Sequence, residues 1–434
     1  MILIKGGTVV DPVKDIVRRL DIIIDRERIK EILPPEKISD TSHFEKVIDA
    51  TNMIVTPGLV DMHVHLREPG HEYKEDIRSG TLAAVSGGFT DIACMPNTDP
   101  VNDSSSVTRF ILSRARESGF CRVHPIAAIT AKQEGKRLTE FGDLKRAGAI
   151  GVSDDGKPVL NSNIMRRALE YARYHGLTVI SHCEDPSLSE GGVMHEGYVS
   201  TQIGLPGIPS EAEEIMVARD ILLAKLTKCP VHIAHVSTEG SVKLIKMAKE
   251  EGIPVTAETA PHYFSLDHTA LTEYDTNAKV NPPLRSEKDV EAIKRALRDD
   301  IIDVIATDHA PHSPLEKDVE FDKAEFGMIG LQTAVPLVLN LVREGILEIT
   351  HAIRKLSYEP ARILGIDGGR ILEGEKANIT IIDPNFSYTL TEDMIFSKSK
   401  NTPFLGKELK GIVRFTIVDG EIRFSSDIKS YIKS

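Results

Sequence analysis

Between residues 54 and 307 the chain repeats one pattern: a short apolar run, a loop, then a stretch whose apolar residues recur at helical spacing. The runs fall at 54–62, 89–95, 122–129, 149–153, 177–182, 230–236, 253–258 and 302–307. Helical stretches such as 104–118, 164–175, 211–226, 241–251 and 286–298 lie between them. Strands separated by crossover-length helices favour a parallel (β/α)8 TIM-type barrel, although a doubly wound open sheet shares the alternation. The polar residues weigh more than the count. His63 and His65, Asn97, the Asp154-Asp155 pair, His182, His235 and Asp308 each sit at or just after the end of a run. In a barrel, strand C-termini share one mouth, so these residues would converge there.

Their chemistry is that of a metal centre. In Asp61-Met62-His63-Val64-His65-Leu66-Arg67 the two histidines are spaced by one residue. Alternation along a strand points both the same way, where two imidazoles grip one transition metal, most simply Zn²⁺. Each residue alone has an ordinary explanation: His182 or His235 as a hydrogen-bonded core histidine, Asp154-Asp155-Gly156 as a turn, Asp308 as a helix cap. Coincidence at five strand ends is far less economical. One metal would take His63, His65 and Asp308, and a second would take His182 and His235. An aspartate of the 154–155 pair would bridge them, and the residues leave open which one. A bridging carboxylate offsets the repulsion of two cations roughly 3.5–4 Å apart, and such a pair makes hydroxide available near neutral pH. His232 has the opposite strand parity to His235 and reads as a core histidine.

The flanks differ. Strand-like segments at 1–11, 21–25 and 46–50, and again at 378–383, 411–418 and 421–424, suggest one small β-sandwich domain made from residues 1–53 and 367–434. Residues 54–366 would then form the barrel. Asp419-Gly420 favours a tight hairpin turn. A net charge of −12 argues against wholesale binding of nucleic acid or an anionic membrane. No apolar run is long enough to span a bilayer, and no signal-peptide pattern opens the chain. Four scattered cysteines without a CxxC pair suit a reducing compartment, so a cytoplasmic protein is expected.

The segment from Asp61 to Pro69, DMHVHLREP, resembles the first signature of the dihydroorotases of the amidohydrolase superfamily. Ala306-Thr307-Asp308-His309-Ala310-Pro311-His312, with Lys317 following, resembles the second. The likeness extends over essentially the whole chain and is to the longer, type I bacterial branch, in which an aspartate replaces the bridging lysine of many relatives. It implies one or two Zn²⁺ per subunit held by His63, His65, Asp155, His182, His235 and Asp308, with Asp155 as the bridge. It implies reversible closure of N-carbamoyl-L-aspartate to L-dihydroorotate, with Asp308 as general acid/base as well as ligand. Arg67, Asn97 and His312 would hold the substrate carboxylate, His65 would line the same pocket, and Asn281 and the backbone at Phe326-Gly327 would complete the contacts. His309 competes with His312, and the resemblance alone favours His312. His262 is expected to play a supporting or structural part.

Homo-oligomers are common in the family, and the resemblance leaves an association with aspartate transcarbamoylase open. The rival readings are a hydantoinase- or allantoinase-type cyclic amidohydrolase, or a non-catalytic scaffold for the transcarbamoylase. The segment 311–327 is long, charged and glycine-ended, the character of a mobile lid.

Overall fold

The computed structural model describes residues 1–35 and 37–426. The repeated pattern folds as expected, into eight parallel strands in sequential order with helices between them: Leu59–Val64, Phe89–Cys94, Arg122–Ala127, Gly151–Ser153, Thr178–Ser181, Val231–Ile233, Val255–Thr259 and Val304–Ile305. Every residue of the first two is buried, as a parallel sheet under helices requires. The ring closes between the first and last strands. His65 N–H donates to the His309 carbonyl at 2.8 Å. Thr307 donates its hydroxyl to Asp61 Oδ2 at 2.5 Å and its N–H to Oδ1 at 3.1 Å. A layer of apolar residues drawn from around the barrel, including Val60, Met62, Ala93, Ile126, Ile180 and Val304, packs with Ala361 and Leu364 of the helix Tyr358–Leu364. This dry, branched filling makes the barrel a rigid platform rather than a pore.

Both chain ends contribute to a second, eight-stranded sheet. Ile2–Asp11 pairs with Ile16–Asp25, Lys46–Asp49 and Ile54–Pro57, and the last of these pairs with Ile379–Thr389. The Asp419-Gly420 turn forms, with φ of +48° and +80°, and joins Glu408–Val418 to Glu421–Ser425. Residues 427–434, assigned from sequence to this domain, lie outside the described residues. One strand, Arg28–Leu33, has no counterpart in the sequence reading. It is an edge strand on which only Ile29 is fully buried, so its charged residues mask the apolar alternation.

The run at 54–62 proves to be two strands in two different sheets. Ile54–Pro57 belongs to the terminal sheet, and the barrel begins at Leu59. Gly58 is the joint, its N–H donating to Asn378 O at 2.8 Å. A Cβ at this position would collide with the buried Thr90 side chain of the neighbouring barrel strand. The two sheets therefore share one continuous chain segment whose passage depends on a missing side chain. Gly58→Ala is expected to cost about 1–3 kcal/mol through overpacking, seen as a lower thermal midpoint with secondary structure unchanged. A wild-type midpoint would contradict this account of the junction.

Candidate metal centre and substrate pocket

The mouth of the barrel gathers the strand-end residues singled out from sequence, Asp154 excepted. Two groups of potential ligands share one carboxylate: His63, His65 and Asp155, and Asp155, His182 and His235. Asp155 Oδ1 lies 3.4 Å from His63 Nε2 and 3.6 Å from both His182 Nδ1 and His235 Nε2. Its Oδ2 lies 3.5 Å from His65 Nε2. Asp308 Oδ1 stands 3.2 Å from His65 Nε2 and 3.6 Å from His63 Nε2. The structure also separates the two adjacent aspartates. Asp154 turns away to accept the Thr130 N–H at 3.0 Å and the Thr130 hydroxyl, leaving Asp155 to face the histidines.

The imidazoles are oriented by partners on their far sides. His63 Nδ1–H donates to Glu258 Oε1 at 2.5 Å, His65 Nδ1–H to Asn97 Oδ1 at 2.8 Å, and His182 Nε2–H to Glu184 Oε2 at 3.0 Å. Each bond presents the other ring nitrogen to the site, the arrangement by which metal-binding histidines are usually held. Two observations show that this donor set suits divalent cations. His63 Nε2 is buried without a hydrogen-bond partner, and His182 Nδ1 confronts His235 Nε2 at 2.8 Å beside Asp155. The electrostatics agree. Burial alone would lower the His63 pKa, but Asp155, Glu258 and Asp308 raise it well above its ordinary value. His182 is likewise lifted, against burial, to about 10 by Asp155 and Glu184. So much negative charge around nitrogen ligands calls for positive charge among them.

The backbone is strained at the same place. His235, Asp308 and Arg67 adopt φ of +35°, +49° and +61°, values rare outside glycine and typical of residues held for function. Arg67 donates from Nε to Pro311 O at 3.1 Å, and its Nη2 lies 3.2 Å from His312 Nε2. His312 donates that Nε2–H to Phe326 O at 2.9 Å and stays neutral, because burial and the nearby cations Arg67, Lys74 and Lys317 drive its pKa far down. His309 turns elsewhere: its Nδ1 accepts the Gly330 N–H at 3.2 Å and its Nε2 faces Glu75 at 3.4 Å. Of the two competing histidines, His312 is the one whose ring nitrogen lies against the Arg67 guanidinium.

Other expected contacts are already engaged within the protein. Asn281 donates to Glu184 Oε2 at 3.1 Å, the Gly327 N–H to Lys279 O at 2.9 Å, and Phe326 O is held by His312. His262 is buried with its Nε2 unpartnered, and burial brings its pKa down to about 4. His232 has the core role anticipated for it, bonded to Thr256 and, at 3.2 Å, to Glu258. Glu258 and Glu184 went unseen in the sequence, and Asp61 was seen only as part of the motif, with no role given to it. For Glu258 a signal existed, an acidic residue near the end of the seventh, otherwise mostly uncharged strand.

The family model described as "Dihydro-orotase-like" matches residues 52–241. The chain is 54% identical to the dihydroorotase of Geobacter metallireducens, covering 97% of this chain and 99% of that one. It is 52% identical to that of Acetivibrio thermocellus, covering 97% and 98%. Among solved structures it superposes on the L-hydantoinase of Arthrobacter aurescens with a TM-score of 0.86 at 22% identity, over 97% of this chain and 95% of that one. A dihydropyrimidinase from Brevibacillus agri gives 0.83 at 24% identity, over 97% and 94%. At those identities the structural likeness establishes the barrel with its terminal sheet. The sequence relatives, sharing half their residues over nearly their whole length, go further: the chain belongs to the dihydroorotase family.

Proposed function

We propose that the protein is a zinc-dependent dihydroorotase, catalysing the reversible cyclisation of N-carbamoyl-L-aspartate to L-dihydroorotate in pyrimidine biosynthesis. The observation that carries this reading is the placement of half-buried Arg67 and buried His312 beside six metal-type ligands at the same mouth. A neutral cyclic amide has no need of that guanidinium; a substrate carboxylate does.

His63, His65, Asp155, His182, His235 and Asp308 would hold the metal, with Asp155 shared. Bound zinc supplies Lewis acidity toward a ring carbonyl and lowers the pKa of water to about 7. The chain's own residues do the rest. Arg67 receives the carboxylate, and its rigid fork fixes the ring's orientation. Neutral His312 offers no charge of its own and steadies the guanidinium's surroundings. Asn97 joins the two halves of the site, accepting from His65 at 2.8 Å and lying 3.5 Å from Asp155 Oδ2.

Asp308 is the proton carrier. Burial would raise its pKa, but His63 and His65 hold it below the ordinary carboxylate value, so it is ionised and able to accept a proton at neutral pH. In ring opening it takes the proton of the attacking water and delivers it to the leaving ring nitrogen; ring closure runs the same transfers backwards. Opening releases one net proton, because an amide becomes a carboxylate, so acid favours closure and alkali favours opening.

The same reading makes the enzyme cytoplasmic and homo-oligomeric, and leaves association with aspartate transcarbamoylase open. Four buried free cysteines support a reducing compartment, and among the described residues no helix is long and apolar enough to cross a membrane.

Two measurements test the assignment. Asp308→Asn should lower kcat/KM for dihydroorotate by roughly 10²–10⁴-fold, while the unsubstituted enzyme turns over dihydroorotate in preference to hydantoin and allantoin. Preference for a neutral ring would overturn the substrate while sparing the metal centre. Zinc content after gel filtration should fall in Asp155→Asn and stay at the wild-type level in Asp154→Asn, whose carboxylate serves Thr130. The reverse pattern would remove Asp155 from the bridge.

A further inference from the structure

The segment expected to be a mobile lid is fastened from beneath by two buried lysines. Lys317 and Lys279 are 5% and 1% exposed. Among the described residues, every hydrogen bond their ammonium groups make ends on a backbone carbonyl. Lys279 Nζ donates to Phe321 O at 2.8 Å, Asp322 O at 3.1 Å and Ala324 O at 2.6 Å. Lys317 Nζ donates to Glu325 O at 2.6 Å, Thr276 O at 2.9 Å and Lys279 O at 3.3 Å. The last bond couples the two nodes, because the Lys279 carbonyl also accepts the Gly327 N–H at 2.9 Å. The Lys279 ammonium stands 4.5 Å from the centre of the Phe326 ring, within cation–π range.

Burying ammonium groups against carbonyl dipoles alone is expensive. Burial and the neighbouring Lys279 charge bring the Lys317 amine down to about 7, with Asp275 and Glu325 acting in the opposite direction. Such a cost is understandable where the bonds hold something in place. Here they gather carbonyls from 321 to 325 onto the segment 276–279, two residues before Asn281. At one end of that loop stands His312, beside Arg67. At the other stand Phe326, whose carbonyl takes the His312 proton, and Gly327, where φ is +138° and a Cβ would come within 2.7 Å of Ala310 Cβ. Asn401 closes the ring, accepting the His312 N–H and donating to the Ala310 and Gly327 carbonyls.

We propose that Lys317 and Lys279 are positioning residues that hold the 313–327 loop closed before substrate arrives, so that Arg67 and His312 are preorganised for the substrate carboxylate. Neither lysine touches the substrate; both act through the loop backbone. The inference rests on the functional reading above for the identity of the ligand, and on the hydrogen bonds alone for the loop. Preorganisation of this kind appears in substrate affinity rather than in the chemical step.

The test uses the full-length, zinc-loaded protein without substrate. Amide hydrogen exchange is followed by mass spectrometry in the wild type, Lys317→Met, Lys279→Met and Lys317→Gln, with Lys323→Met, an exposed position on the same loop, as control. Loss of either ammonium should speed exchange across 313–327 about tenfold or more and leave the barrel strands and zinc content unchanged. KM for dihydroorotate should rise about tenfold, with kcat changed by less than about threefold. Lys317→Gln, which keeps two N–H donors, should recover part of the protection, and Lys323→Met should match the wild type. Wild-type exchange in the loop of both Met variants would overturn the proposal. So would a fall in kcat at constant KM, or faster exchange throughout the chain in all three clamp variants, which would assign these lysines to the general core. If the wild type turns over no dihydroorotate, the functional reading fails on that result, and loop exchange still judges the clamp.

Discussion

One carboxylate organises this molecule. Asp155 is buried at the end of the fourth barrel strand, with one oxygen toward His63, His182 and His235 and the other toward His65. Burial would raise its pKa, yet His63, His182 and His235 hold it far below the ordinary value, so the negative charge persists in a dry site. Four histidines drawn from three strands converge on this side chain, and their placement depends on it remaining an anion. An uncompensated charge so deep in the protein would be costly, and the ligand set around it is the means of compensation.

The surrounding structure maintains that geometry. Glu258, Asn97 and Glu184 each lock one imidazole from behind. The Thr307–Asp61 bonds and the His65–His309 backbone bond seal the barrel on either side of His63, so the same short segments close the fold and carry the site. Left-handed backbone at Arg67, His235 and Asp308 is tolerated because barrel packing overdetermines these positions. The substrate side follows the same logic. A loop of such length and charge would ordinarily move, but here backbone carbonyls converge on two ammonium groups.

Much of this was legible in the sequence, because it is written in local periodicity. The alternation of apolar runs and helical stretches marks the barrel, and strand parity distinguishes His235, at the site, from His232, in the core. What escaped depends on contacts between distant residues. Asp154 and Asp155 are chemically identical neighbours that the residues alone do not tell apart; the family resemblance favours Asp155, and the physical reason is Thr130, 24 residues away, which takes Asp154 from the site. The run at 54–62 is largely apolar and reads as one strand, although its Pro57-Gly58 dipeptide is a local mark of the point where Gly58 hands it from one sheet to another. Glu184 looks like an ordinary charged residue until His182 is placed beside it, whereas Glu258 stands out only as the one acidic residue of its strand. The lid character of 311–327 was inferred from length and composition, which do not register that Lys279, over thirty residues upstream of most of it, is buried beneath.

The most direct test of the central claim is anomalous diffraction at the zinc edge from crystals of the zinc-loaded protein. Two peaks are expected to flank the Asp155 carboxylate, one among His63, His65 and Asp308 and the other against His182 and His235. A peak that leaves Asp155 uncoordinated, or zinc bound only outside the barrel mouth, would contradict that claim.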